Sequence, residues 1–258
     1  MGAEPVTLDW DDNVATITVN RPKQMNALNE AALDLLETHL RSAADDDARC
    51  LVITGAGEKA FVAGADIERM QSFGTEAAQQ YTEQGHRIAN MIESFPAPAV
   101  AAVNGYAFGG GCELALACDL RVASERAVFG QTEIDLGIIP GWGGTQRLPA
   151  LVGDEMARRM IYFGERIDAT DAYERGLIGE VVAHDDLTEH ISELTAELAA
   201  KPATAMRAAK EALNTAYSAP RSTGLEYEAR TWSGLFGTAD QREGMSAFLE
   251  DRDPEFES

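Results

Sequence analysis

Lysine, cysteine and long apolar runs are all scarce in this 258-residue chain, and each scarcity removes a class of function. Lys23, Lys59, Lys201 and Lys210 are the only lysines, and the 21 basic residues face 43 acidic ones, for a formal net charge of -22. A field of that sign disfavours nucleic acid or an anionic membrane surface as partner. Cys50, Cys112 and Cys118 are odd in number and lack metal-ligand spacing, so they read as small core residues. The four histidines lie outside every motif described below, and no metal site is expected. No apolar run approaches the ~18 residues of a membrane span. The start, Met1-Gly2-Ala3-Glu4-Pro5, has neither a basic n-region nor an apolar h-region, and it lacks the Ser or Thr of a myristoylation signal. The expected compartment is the cytoplasm.

What is present in quantity is acid and apolar residues. An apolar content of 45% suffices for one globular unit with a small appendage. Acidic runs such as Asp45-Asp46-Asp47 and Asp185-Asp186 resemble a halophilic surface. Such a surface repels itself in dilute buffer and is screened in concentrated salt, where the Debye length falls to about 3 Å at 1 M.

Periodicity supplies the elements. Alternation over residues 14–19 predicts a half-buried strand, 30–41 a helix, and 50–54 and 98–103 buried strands. Residues 205–216 form an amphipathic helical pattern, and 230–249 form a helical stretch apolar enough to need a partner. Strand, strand and helix recur irregularly, without a sequence repeat.

The richest segment is Asn104-Gly105-Tyr106-Ala107-Phe108-Gly109-Gly110-Gly111-Cys112-Glu113, followed by the apolar Leu114-Ala115-Leu116-Ala117. A glycine-rich turn from a buried strand into a helix exposes backbone N–H groups at the positive end of the helix dipole. Such a turn binds either a phosphate or an oxyanion that develops in a transition state. A carboxylate at Glu113 would repel a phosphate, yet it can serve as general acid or base beside a developing oxyanion. The plainer reading has the glycines allowing tight packing, with Glu113 complementing its own helix dipole. The lack of a polar face in the next turn favours a buried, employed glutamate.

A second acid follows in Phe129-Gly130-Gln131-Thr132-Glu133-Ile134-Asp135-Leu136, and the run continues through Pro140-Gly141-Trp142-Gly143-Gly144 to Arg147. Glycine and proline punctuate an apolar stretch, which predicts a structured, buried loop. Two carboxylates sharing one buried site push their pKa values apart, so that one donates while the other accepts. On residue type alone Glu133 and Asp135 are equivalent candidates, and either would also serve as a cap or as a partner for Arg147.

Four stretches in this order carry a family resemblance: Asn20-Arg21-Pro22-Lys23 with Asn26-Ala27-Leu28; Phe61-Val62-Ala63-Gly64-Ala65-Asp66-Ile67; Gly109 to Glu113; and Gly141 to Leu148. Together they resemble the enoyl-CoA hydratase (crotonase) family from about Val14 to the end of the chain. The resemblance implies an α/β fold, a spiral of ββα units, with a spiral core over residues 1–200 and a C-terminal helical region over 201–258 that builds homotrimers or homohexamers. It implies an acyl-CoA thioester as substrate, with coenzyme A entering as part of it and no separate cofactor. The thioester oxygen would be held by the backbone N–H groups of Ala65 and Gly110. Glu113 would activate water, Glu133 would handle the C2 proton, and the Gly141 N–H would help fix the water. That choice selects Glu133 over Asp135. Lys23, Ala27, Ala63, Gly64, Asp66 and Ile67 would lie along the coenzyme A path. Family isomerases often replace the first glutamate by an apolar residue, so the presence of both favours hydration. Isomerisation, or a non-catalytic binding role, is the alternative. Where relatives often carry a lysine near the C-terminus for a coenzyme phosphate, this chain has Asp251-Arg252.

Overall fold

Strand-forming segments alternate between two sheets. In the computed structural model, which describes residues 4–256, β1 (Val6–Asp11) turns through Asp12 at φ 47° and returns as β2 (Val14–Val19). The alternation of β2 is realised: Ala15, Ile17 and Val19 are buried while Val14, Thr16 and Thr18 are partly exposed. The helix expected over 30–41 is α1 (Glu30–Asp45), one turn longer, capped by the Asn29 side chain accepting the Ala32 N–H at 3.0 Å. The Met1–Ala3 part of the leader reading lies outside the described residues.

Three strand–strand–helix units follow. The first has β3 (Cys50–Gly55), β4 (Ala60–Val62), the single turn α2 (Ile67–Met70) and α3 (Thr75–Glu93). The second has β5 (Ala99–Val103), β6 (Tyr106–Phe108) and α4 (Gly110–Ala117). The third has β7 (Leu120–Ser124), β8 (Val128–Gly130), a 3-10 turn at Glu133–Leu136 and α5 (Gly144–Val152). The first strand of each unit joins a large sheet that runs β1-β2-β3-β5-β7, and the second joins a smaller sheet that runs β4-β6-β8, each completed by one later strand. Pairing within the large sheet is parallel from β2 onward. β5, central and covered on both faces, is buried at every residue, which is why it reads as a continuous apolar run.

The chain then passes through α6 (Asp154–Tyr162), β9 (Arg166–Asp168) at the small-sheet edge, α7 (Ala169–Glu174), and β10 (Glu180–Val182) at the large-sheet edge. It ends in α8 (Leu187–Ala199), α9 (Ala203–Ser218), α10 (Arg221–Gly234) and α11 (Ala239–Glu250). This is the α/β crotonase-type spiral that the motifs imply.

Two expectations change. The helical stretch read over 230–249 is two helices, because the first stops at Gly234, the chain turns through Gly237 at φ 94°, and Thr238 caps the second. The loop after Glu133 is only partly buried: Ile134, Leu136, Ile138 and Ile139 are 40–66% exposed. Its punctuation fixes the loop's path, while Leu136, Ile138 and Ile139 line a cleft instead of the core. Cys50, Cys112 and Cys118 are free and buried, as small core residues should be. Among the described residues no helix is long and apolar enough to cross a membrane.

Candidate active site

The site forms where the second and third units meet the turn after β4. Gly64 at φ 88° and Gly109 at φ 50° hold backbone conformations that a side chain would strain. A Cβ built on Gly64 would stand only 3.1 Å from the Phe108 carbonyl oxygen and 4.0 Å from the Gly110 nitrogen, so glycine lets the two turns approach. The peptide between Gly64 and Ala65 is oriented from behind, because its carbonyl accepts the Leu28 N–H at 2.9 Å. In a trans peptide that aims the Ala65 N–H the opposite way. Ala65 and Gly110 both line one cavity of about 220 Å³, and neither N–H donates to another group among the described residues.

Glu113 and Glu133 line the same cavity and are 2% and 8% exposed. Glu113 does not complement its own helix. Its Oε1 reaches across to accept the N–H groups of Trp142 and Gly144, each at 2.7 Å, at the N-terminus of α5. Burial raises its pKa, while these donors and the nearby Gly141 N–H favour the ionised form and oppose the rise. Glu133 is seated against Gly109, where an added Cβ would come within 2.8 Å of Oε1. Burial first and the Glu113 charge second push its pKa up to about 7. The Gln131 amide, with its nitrogen turned toward Glu133, lies 3.1 and 3.2 Å from the two carboxylate oxygens. Burial thus raises both carboxyls, and of the two only Glu113 has backbone donors from another element that oppose the rise.

Asp135 is exposed and off the cavity wall, and Arg147 pairs instead with Glu93 at 2.5 Å. Arg147 also donates to the Trp142 carbonyl at 3.0 Å, tying the glycine-rich loop to α3. Ala63, Gly64 and Ile67 belong to the cavity wall together with Gly141. Lys23, Ala27 and Asp66 lie outside it: Lys23 is exposed in a 3-10 turn, and Asp66 pairs with Arg21 at 3.0 Å. Arg252 is held by Glu243 at 2.5 Å and by Glu250 at 2.8 Å. Sequence reasoning missed Gln131, Tyr81 and Thr82, whose side chains reach the site or its supports from other elements and carry no local signal. Among the described residues no group of three or more His, Cys, Asp or Glu is arranged to hold a metal ion.

Comparison with known proteins gives this geometry its context. The chain is 41% identical over 257 residues to the crotonyl-CoA hydratase of Syntrophomonas wolfei, covering 99% of both chains. It is 39% identical over 248 residues to the short-chain-enoyl-CoA hydratase of Clostridium acetobutylicum, covering 96% of this chain and 95% of the other. The crystal structure of enoyl-CoA hydratase from Bacillus anthracis superposes with a TM-score of 0.94 at 40% identity, covering 98% of each chain. The profile of the enoyl-CoA hydratase/isomerase family matches residues 9–258. Two buried carboxylates beside two unpaired backbone donors thus sit in a chain that belongs to the enoyl-CoA hydratase/isomerase family.

Proposed function

We propose that this protein reversibly hydrates 2-enoyl-CoA thioesters to 3-hydroxyacyl-CoA, with Glu113, Glu133, Ala65, Gly110 and Gly141 as its machinery. The observation that carries the reading is the common cavity of Glu113 and Glu133 with the two unpaired N–H groups at Ala65 and Gly110. Those two donors hold the thioester oxygen and stabilise the enolate charge that develops on it. In comparable acyl-transfer holes one donor contributes about 3–4 kcal/mol.

Glu113, held by Trp142 and Gly144 N–H groups through one oxygen, orients water with the other. It takes the water proton as the hydroxyl forms its bond to C3. Glu133 delivers a proton to C2, the π electrons of C2=C3 having moved toward the thioester, and the two carboxyls then re-equilibrate their protons with solvent. The Gly141 N–H helps fix the water. As written, the chemistry calls for no separate cofactor, because coenzyme A arrives with the substrate. The nucleotide portion extends past the cavity along Ala63, Gly64 and Ile67 toward Asp66, Ala27 and Lys23.

Residues 201–258 form the assembly region of a homotrimer or homohexamer. Support comes from Leu213, Tyr217, Trp232, Phe248 and Leu249, all 64–85% exposed, more apolar surface than isolated exposed residues account for. The halophilic reading rests on the charge of -22, and three free buried thiols suit a reducing cytoplasm.

Turnover over a chain-length series of enoyl-CoA substrates in high salt tests the activity. Hydration absent at every length would refute it, and double-bond migration without hydration would move the reading to isomerisation. Sedimentation of the full chain tests the assembly, and a stable monomer would refute it.

A further inference from the structure

The indole of Trp142 is the largest side chain at the site for which the acid/base scheme has no use. Its place is unusual in one respect: it lies between two glycines on different helices. A Cβ built on Gly110, in α4, would fall 2.4 Å from Trp142 Cζ3, and one built on Gly85, inside α3, would fall 2.0 Å from Trp142 Nε1. Neither glycine has a positive φ, so conformation does not explain them. A glycine inside a helix costs about 0.5–1 kcal/mol relative to alanine. At Gly85 the space taken by the indole is the reason that remains.

The same residue touches two parts of the proposed machinery, Glu113 and Gly110, and reaches a third, Ala65, through Tyr81 and Leu28. Its backbone N–H donates to Glu113 Oε1 at 2.7 Å, and its benzo edge bears on Gly110, whose N–H is an oxyanion donor. Its ring meets the Tyr81 ring at a centroid distance of 5.6 Å. Tyr81 in turn donates its hydroxyl to the Leu28 carbonyl at 2.8 Å, and Leu28 N–H holds the peptide that carries the Ala65 donor. The loop bearing Trp142 is anchored by Thr82 Oγ1 donating to the Gly141 carbonyl at 2.5 Å.

We propose that the Trp142 indole is a positioning residue, a spacer wedged between α3 and α4 that sets the height of its loop over the first turn of α4, and so where the Glu113 carboxylate held by that loop stands relative to the Gly110 oxyanion donor. The proposal rests on the hydratase reading. Gly110 and Glu113 share the first turn of α4, where the Glu113 N–H donates to the Gly109 carbonyl at 3.0 Å, so their backbones are fixed to each other. What the helix leaves free is the carboxylate, which the loop holds by two N–H groups and the ring spaces from Gly110. Misplacing a catalytic group by about 1 Å costs on the order of 10²-fold in rate, so the wedge acts on kcat.

The test enters from the side away from the cavity. Gly85 is not part of the cavity wall, so G85A pushes the ring without touching substrate. G85A is expected to lower kcat on crotonyl-CoA by roughly tenfold or more, with KM changed less than about twofold. W142F keeps ring atoms at the pyrrole edge that the new methyl meets but loses the benzo edge that bears on Gly110, so it should lower kcat by itself. W142A, which keeps the backbone N–H to Glu113, should lower kcat by itself and leave G85A with little further effect, a non-additivity expected of groups in contact. Thermal unfolding of each variant shows which are folded, and the W142A and W142F arms decide the matter if G85A does not fold. A folded G85A protein with wild-type kcat, equal losses from G85A in the wild-type and W142A backgrounds, or wild-type kcat in W142A or W142F overturns the role. A wild-type protein with no hydratase activity overturns the proposed function itself and is read before any variant is made.

Discussion

The carboxylate of Glu113 accepts the backbone N–H of Gly144, the first residue of α5, at 2.7 Å, so a side chain from the start of one helix occupies the N-terminus of another. A negative charge at that position is stabilised by the helix dipole and by unpaired backbone donors. Glu113 is thereby suited to be the base of the pair, and Glu133, which faces the Gln131 amide and accepts no α-helical N–H among the described residues, to be the acid.

Glu113→Gln and Glu133→Gln should each lower kcat by roughly 10²-fold or more, the lower end of a positioned acid/base contribution. KM should change far less, since neither group is assigned to hold coenzyme A. Steady-state kinetics on crotonyl-CoA check this, and wild-type kcat in either variant contradicts the two-carboxylate mechanism.

Proton linkage follows from Glu133, whose pKa stands at about 7 against an ordinary 4.5. A raised carboxyl binds its proton more tightly in the folded state. Its stabilising contribution is therefore complete below about 4.5 and is lost as pH rises through about 7. The proton delivered to C2 is lost over the same upper limb, so kcat/KM for hydration should fall above about pH 7. Because the Glu113 charge is part of the cause, the Glu133 titration should move to lower pH in Glu113→Gln. Carboxyl titration by NMR reads this directly, and an unmoved midpoint would remove the coupling.

Gly110→Pro deletes the backbone donor that side-chain changes cannot reach. In a folded variant turnover should fall by about 10²–10³-fold, the loss measured for a single oxyanion donor. Retained activity would exclude that N–H from the mechanism.

Lys210 is 8% exposed, pairs with Asp119 at 2.7 Å and donates to the Ile92 and Ala97 carbonyls at 3.2 and 3.1 Å. It fastens α9 to the core. Lys210→Met leaves the partly exposed Asp119 carboxylate and two carbonyls without their cation and should destabilise the fold by about 1–3 kcal/mol. Urea unfolding measures the difference, and a change within error would show that α9 is held by packing alone.

Salt should act on the whole molecule. Raising KCl from about 0.1 M to 1 M shortens the Debye length from about 10 to about 3 Å and screens both the self-repulsion of a chain at -22 and its repulsion of a polyanionic coenzyme. Tm and kcat/KM should rise together. A flat Tm with falling kcat/KM would mark an ordinary acidic enzyme.

By itself the sequence determined the parts. The wholly apolar β5, the alternation in β2, the glycine turn ahead of Glu113 and the Glu133 loop are local patterns of burial and backbone conformation, and local patterns survive in one dimension. It also narrowed the carboxylates to Glu113 with Glu133 or Asp135, and the family resemblance chose between the last two. Tertiary structure decided how the parts act on one another. Glu113 caps α5 from 31 positions away, a contact that exists only once the second and third units are stacked. Asp135 faces outward although it is two residues from Glu133, because a 3-10 turn sends them to different sides. Gly85 and Trp142, 57 positions apart in sequence, share one space that neither residue type announces. Such relations depend on the summed geometry of several elements, where small changes of angle move a side chain by ångströms, and no single segment of the chain carries them.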